Sequence, residues 1–71
     1  MTSYRESIKK KLAHGGYEEF KSLCIATIYR TAVRKTCYQV HCDSYRCKFS
    51  ELYDEAEDAI DKFFELRRRV G

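Results

Sequence analysis

The fold class this chain predicts is α+β, with helices at both ends of a small antiparallel sheet. Three observations carry that reading. Apolar residues recur at three- and four-residue spacing through the C-terminal third. A shorter stripe of the same period follows a helix-start signal at the N-terminus. Between them, residues 37–49 alternate apolar and polar side chains about a turn. The expected order is α-β-β-β-α, a three-stranded antiparallel sheet with a long amphipathic C-terminal helix packed on one face. At 71 residues and 8.5 kDa the chain reads as one small domain, 1–71, with a thin core.

The first helix opens on Ser3-Tyr4-Arg5-Glu6, a capping box in which serine and glutamate each satisfy a free backbone N–H. Tyr4, Ile8 and Leu12 form its apolar stripe, and Lys9, Lys10 and Lys11 line the flanks. Gly15 or Gly16 supplies the left-handed position that ends it.

Residues 17–35 read in two ways. As a helix, Tyr17, Phe20, Cys24, Ile28 and Ala32 share a face. As a strand, Leu23 to Thr31 is rich in β-branched and aromatic residues. A lone hairpin is marginal and wants a third strand, which favours the strand from Cys24 to Arg30. A short helical turn at Tyr17–Leu23 is expected before it. Thr31–Lys35 carries none of the usual turn residues.

The hairpin joins residues 37–42 to 45–49 through Asp43-Ser44. That register opposes Cys42 to Tyr45, Val40 to Cys47 and Tyr38 to Phe49 on one face. Gln39 with Lys48, and His41 with Arg46, fall on the other. A helix follows from Ser50, its N-cap, to Arg69. Leu52, Ala56, Ala59, Ile60, Phe63, Leu66 and Val70 make the buried stripe. Acids crowd its first turns, and Arg67, Arg68 and Arg69 its last, as the helix dipole favours.

Composition narrows the function classes. The chain has no proline, three glycines and 44% hydrophobic residues, so it is not a disordered or collagen-like segment. It has no apolar run of membrane-spanning length, and the N-terminus lacks the apolar core of a signal peptide. A cytoplasmic protein with reduced thiols is expected.

Cys24, Cys37, Cys42 and Cys47, with His14 and His41, invite a zinc reading, but no C-x2-C knuckle is present. His41 and Cys42 are strand neighbours and point to opposite faces. Cys37 and His41 share a face but stand about 13 Å apart. Cys42 and Cys47 are diagonal neighbours at about 7–8 Å, too far for an easy disulfide. Cys24, Cys42 and Cys47 therefore read as small core residues. The alternation also separates Cys42 from His41, so they cannot form a nucleophilic dyad. No phosphate loop or metalloprotease motif occurs, and so small a domain has little room for a pocket. No catalytic residue, metal or other cofactor is expected.

Charge is polarised. Residues 1–48 carry ten Lys/Arg against four Asp/Glu, and residues 49–71 carry four against seven. The polar sheet face gathers Gln39, His41, Arg46 and Lys48, with Arg30, Arg34 and Lys35 nearby. Such a surface suits phosphates or a major groove, and equally suits a solvated face. On the last helix, Glu51–Glu55, Asp54–Asp58 and Glu57–Asp61 are like-charge pairs four apart, offset only by Asp58–Lys62 and Glu65–Arg69. The row Asp54, Asp58 and Asp61 suits a basic partner, or a solvated outer face.

Ile28-Tyr29-Arg30, Tyr38-Gln39-Val40, Tyr45-Arg46-Cys47-Lys48-Phe49-Ser50 and Asp54-Glu55-Ala56 resemble the strand–strand–strand–helix rhythm of plant AP2-type and integrase N-terminal DNA-binding domains. The resemblance covers about residues 25–66 and implies a sheet face that contacts DNA. The chain lacks the Gly and Trp residues usual in those domains. The element order also resembles double-stranded-RNA-binding domains, but Glu51, Asp54 and Glu55 stand where those carry lysines.

Two functions follow as expectations. The first is a non-enzymatic module binding nucleic acid through the basic sheet face and the first helix. The alternative is a small protein, of the kind viruses and mobile elements encode, that binds and inhibits a host protein through its acidic helix or basic face. Neither involves a membrane.

Overall fold

In a computed structural model, which describes residues 3–70, the order is α1 (Tyr4–Ala13), β1 (Tyr17–Phe20), β2 (Leu23–Arg30), β3 (Lys35–Ser44), β4 (Cys47–Tyr53) and α2 (Ala56–Val70). The strands form one antiparallel meander, β1-β2-β3-β4. The α+β class holds, with four strands where the sequence predicts three.

Helix α1 begins where its capping signal indicates, with the serine half of the expected capping box; among the described residues the Glu6 carboxylate makes no bond back to the Ser3 N–H. Ser3 Oγ accepts from the Glu6 N–H at 3.2 Å. At the other end Gly15 takes φ +78°. The Gly16 N–H donates to the Lys11 carbonyl at 2.8 Å and the Gly15 N–H to that of Leu12 at 3.1 Å, the paired bonds of a Schellman ending. A Cβ on Gly16 would lie 3.0 Å from the Lys11 carbonyl oxygen, so both glycines have a use. The Thr27 hydroxyl donates to the Leu12 carbonyl, and its N–H to that of Gly16. These bonds deliver the chain alongside β2.

That delivery explains the extra strand. Residues 17–20, expected as a helical turn, pair with β2 from Tyr17↔Ala26 to Phe20↔Leu23. The turn that follows places Lys21 at φ +54°. The β2–β3 turn, residues 31–34, likewise ends on Arg34 at φ +52°. Non-glycine residues seldom sit there, because Cβ crowds the backbone. Neither turn therefore has the residue that normally announces it.

The β3–β4 hairpin turns at Tyr45-Arg46, not Asp43-Ser44. Cys42 pairs with Phe49, Val40 with Glu51, Tyr38 with Tyr53, Gln39 with Leu52 and His41 with Ser50. Ser44 accounts for the shift: its Oγ accepts from the N–H groups of Arg46 at 3.1 Å and Cys47 at 3.2 Å. The slip moves partners by an even number of residues, so it preserves the faces while changing every cross-strand pair.

The longer β4 displaces the expected helix start. Ser50 is not an N-cap; its Oγ accepts from Gln39 Nε2 at 3.3 Å within the sheet. Leu52 leaves the buried stripe and is 47% exposed. Glu51, Asp54 and Glu55 precede the helix, so two of the three like-charge helical pairs do not form. Strand pairing to the ten-residue β3 has won over a helical period that Leu52 and Ala56 satisfy equally well.

Both helices cover one sheet face. Ile8 and Leu12 of α1, and Ala59, Ile60, Phe63 and Leu66 of α2, pack on Leu23, Ile25, Val40, Cys42 and Cys47. The result is a plate of 34 × 33 × 16 Å. Cys42 and Cys47 are core residues as expected. Cys24 is not: it is half-buried and faces away from the helices, opposite His41. Cys37, which the sequence did not place inside, is 3% exposed between neighbours on a central strand. All four thiols are free. No described helix is long and apolar enough to cross a membrane.

Candidate nucleic-acid interface

Alternation along each strand leaves one sheet face without helices. Register assigns Tyr17 and Glu19 of β1 to it, then Cys24, Ala26, Ile28 and Arg30 of β2. From β3 come Lys35, Cys37, Gln39, His41 and Asp43, and from β4 Lys48, Ser50 and Leu52.

The predicted basic residues lie on this face or at its ends, but not as one patch. Arg30 and Lys35 pair at the β2–β3 turn, with Arg34 in the turn itself. Arg46 occupies the β3–β4 turn, and Lys48 lies beside it, paired with Asp43 rather than Gln39. The two groups stand at opposite ends of β3, about 30 Å apart at 3.3 Å per residue. Gln39 and His41 lie between them. Among the described residues only Lys35 of the five cations is ion-paired, to Asp54 at 3.4 Å.

The predicted acidic row divides differently. Asp61 accepts from Arg5 at 2.7 Å. Glu57 holds both Arg5 and Lys9, each at 2.7 Å. The Lys9 and Arg5 hydrogen bonds hold the Glu57 carboxyl down at about 2. The surviving like-charge pair, Glu57–Asp61, is thus bridged by α1. Lys62 pairs with Glu65 at 2.6 Å rather than with Asp58. Asp58 stays exposed, and with Glu51 and Glu65 it surrounds the Tyr53 hydroxyl. Burial first, then the 3.0 Å bond to Glu51, pushes that phenol up to about 12.

On the helix side, Lys11 and Tyr4 converge on Glu18, and the Lys11 bond keeps that carboxyl low. Arg67 stacks between Tyr4, at 5.0 Å, and Phe20, at 4.7 Å, tying the end of α2 to α1 and β1. Its Nε is buried without a hydrogen-bond partner. These contacts occupy Lys11, Glu18 and Arg67; among the described residues Lys10, Arg68 and Arg69 of the helices have no ion pair, nor do most of the sheet-side cations.

Chemistry at Cys24 and His41 is limited. Burial, then the Glu19 carboxylate, pushes the Cys24 thiol up, away from the thiolate that a nucleophile requires. Among the described residues no three His, Cys, Asp or Glu side chains are placed to hold a metal ion.

The sequence did not single out Tyr17, Leu52 or an open groove at the edge of β1. Ser7, Lys10, Lys11, His14, Gly16 and Tyr17 line that groove. Tyr17 is 60% exposed and borders both the groove and the open face. The segment Tyr17-Glu18-Glu19-Phe20 does not alternate apolar with polar residues, so it carried no strand signal. In comparisons with known proteins, no family model matches the chain, and no curated protein or solved structure is significantly similar to it.

Proposed function

We propose that this chain is a small non-enzymatic module that binds nucleic acid through the open sheet face and the adjoining groove of α1. The observation that carries the reading is the set of cations without an ion pair at both ends of the open sheet face. On the helix side Glu18, Glu57, Asp61 and Glu65 are paired with cations of the same domain, and Asp58 is the acid of α2 that is not. On the sheet side and its turns, Arg30, Arg34, Arg46 and Lys48 are unpaired among the described residues. Cations at both ends of the open face, with Gln39, His41 and Ser50 on the strands between, suit a phosphate backbone, although Glu19 and Asp43 share the face. Occupation of Asp61 by Arg5 and of Asp54 by Lys35 weakens the alternative in which the acidic row binds a host protein.

The test is fluorescence anisotropy of a short labelled oligonucleotide at low and moderate salt. Binding should weaken steeply with salt, because each phosphate contact releases counterions. Absence of binding at low salt contradicts the reading.

A further inference from the structure

The register aligns Tyr17, Ala26, Gln39 and Leu52 in one row across all four strands. At about 4.8 Å between strands the row is about 14 Å long. Tyr17 and Leu52 stand out at its ends, 60% and 47% exposed, while Ala26 and Gln39 lie lower between them. No Lys or Arg lies in the row. Beyond Tyr17 the surface continues into the groove bearing Lys10 and His14, one helical turn apart.

We infer that the ligand of this face is a single-stranded nucleic acid, crossing the strands along this row with a base stacked on Tyr17 and a phosphate beside Lys10. The inference rests on the nucleic-acid reading above and narrows it. A duplex keeps its base faces stacked inside and would present phosphates to a row that has no cation. A single strand exposes what the row can use. Its bases have flat faces for an aromatic ring, apolar area for Leu52 and Ala26, and polar edges for the Gln39 amide. Its backbone then needs cations beside the stacked base rather than beneath it, and Lys10 is there. The exposed ring is held on a strand whose ends are fixed, by the Gly16 backbone on one side and by Phe20 under Arg67 on the other. Little ordering is therefore required on binding.

The experiment compares single-stranded DNA, single-stranded RNA and the matching DNA duplex, all of one mixed sequence, by anisotropy. Either single strand should bind more tightly than the duplex. Tyr17→Ala should weaken single-strand binding roughly five- to hundred-fold, the loss of one stacked base, and leave duplex binding unchanged. Tyr17→Phe should restore it, with circular dichroism confirming that both variants fold. Lys10→Gln should reduce the salt slope for single strands by about 0.7. If the duplex binds as tightly as the single strands, or Tyr17→Ala binds them like the parent, the single-strand inference is wrong while nucleic-acid binding stands. If the parent binds none of the three, both fall together.

Discussion

Replacing Phe63 with alanine should cost about 3–5 kcal/mol and leave much of the protein unfolded. Phe63 is fully buried in the middle of α2. Its ring meets Phe64 edge-on at 5.7 Å and lies 6.4 Å from Tyr4, so one side chain joins α2, α1 and the sheet. A chain of 71 residues has a total stability of about 4–10 kcal/mol, so the loss takes a large share of it. Urea unfolding followed by circular dichroism measures the effect. Leu52→Ser is the counterpart: on the open face it should change stability little, whereas a core position in a helix from Ser50 would make it severe. Parent-like unfolding of Phe63→Ala would mean that the packing described for α2 is wrong.

The largest effect on binding is expected from removing the unpaired cations of the open face together. Arg30→Gln, Arg34→Gln, Arg46→Gln and Lys48→Gln are all at exposed positions, so stability should change little. If each cation meets a phosphate of a duplex, the slope of log K against log salt should fall by up to about 3.6. A single strand following the Tyr17–Leu52 row passes about 13 Å or more from them and should lose less than the roughly 2.8 of four direct contacts. Affinity should drop for all sequences alike. Asp58→Asn, at the unpaired acid of α2, should leave binding unchanged or slightly tighter. The reverse pattern, with partner capture lost on Asp58→Asn and kept without the cations, belongs to a protein partner on α2.

The faces of the sheet were legible in the sequence, and the pairs were not. Tyr38, Val40, Cys42, Cys47 and Phe49 share a face in either register, because a slip by an even number preserves alternation. What distinguishes the registers is where the turn forms, and a single Ser44 hydroxyl serving two N–H groups decides that. Strand β1 was missed because Lys21 takes a left-handed conformation without glycine or asparagine to signal it. The helix start was misplaced because Leu52 fits both a four-residue step to Ala56 and a strand register opposite Gln39.

The candidate site shows the same division. Placement of Gln39, His41 and Lys48 on the polar face followed from local alternation. The separation of the cations into two groups followed from the length of β3, which the sequence had ended early. The ion pairs Arg5–Asp61 and Lys35–Asp54 join residues far apart in the chain, so no local pattern reveals that these acids are occupied. Tyr17 became a surface feature only once its segment was a strand.

Whether the open sheet face is the binding surface is read from backbone amide resonances followed while a short oligonucleotide is added. Binding there should shift Tyr17, Ala26, Gln39, His41 and Leu52 and the turns holding Arg34 and Arg46, and leave Asp58 and Glu65 of α2 unmoved. Shifts confined to α2, under conditions where anisotropy shows binding, would contradict it.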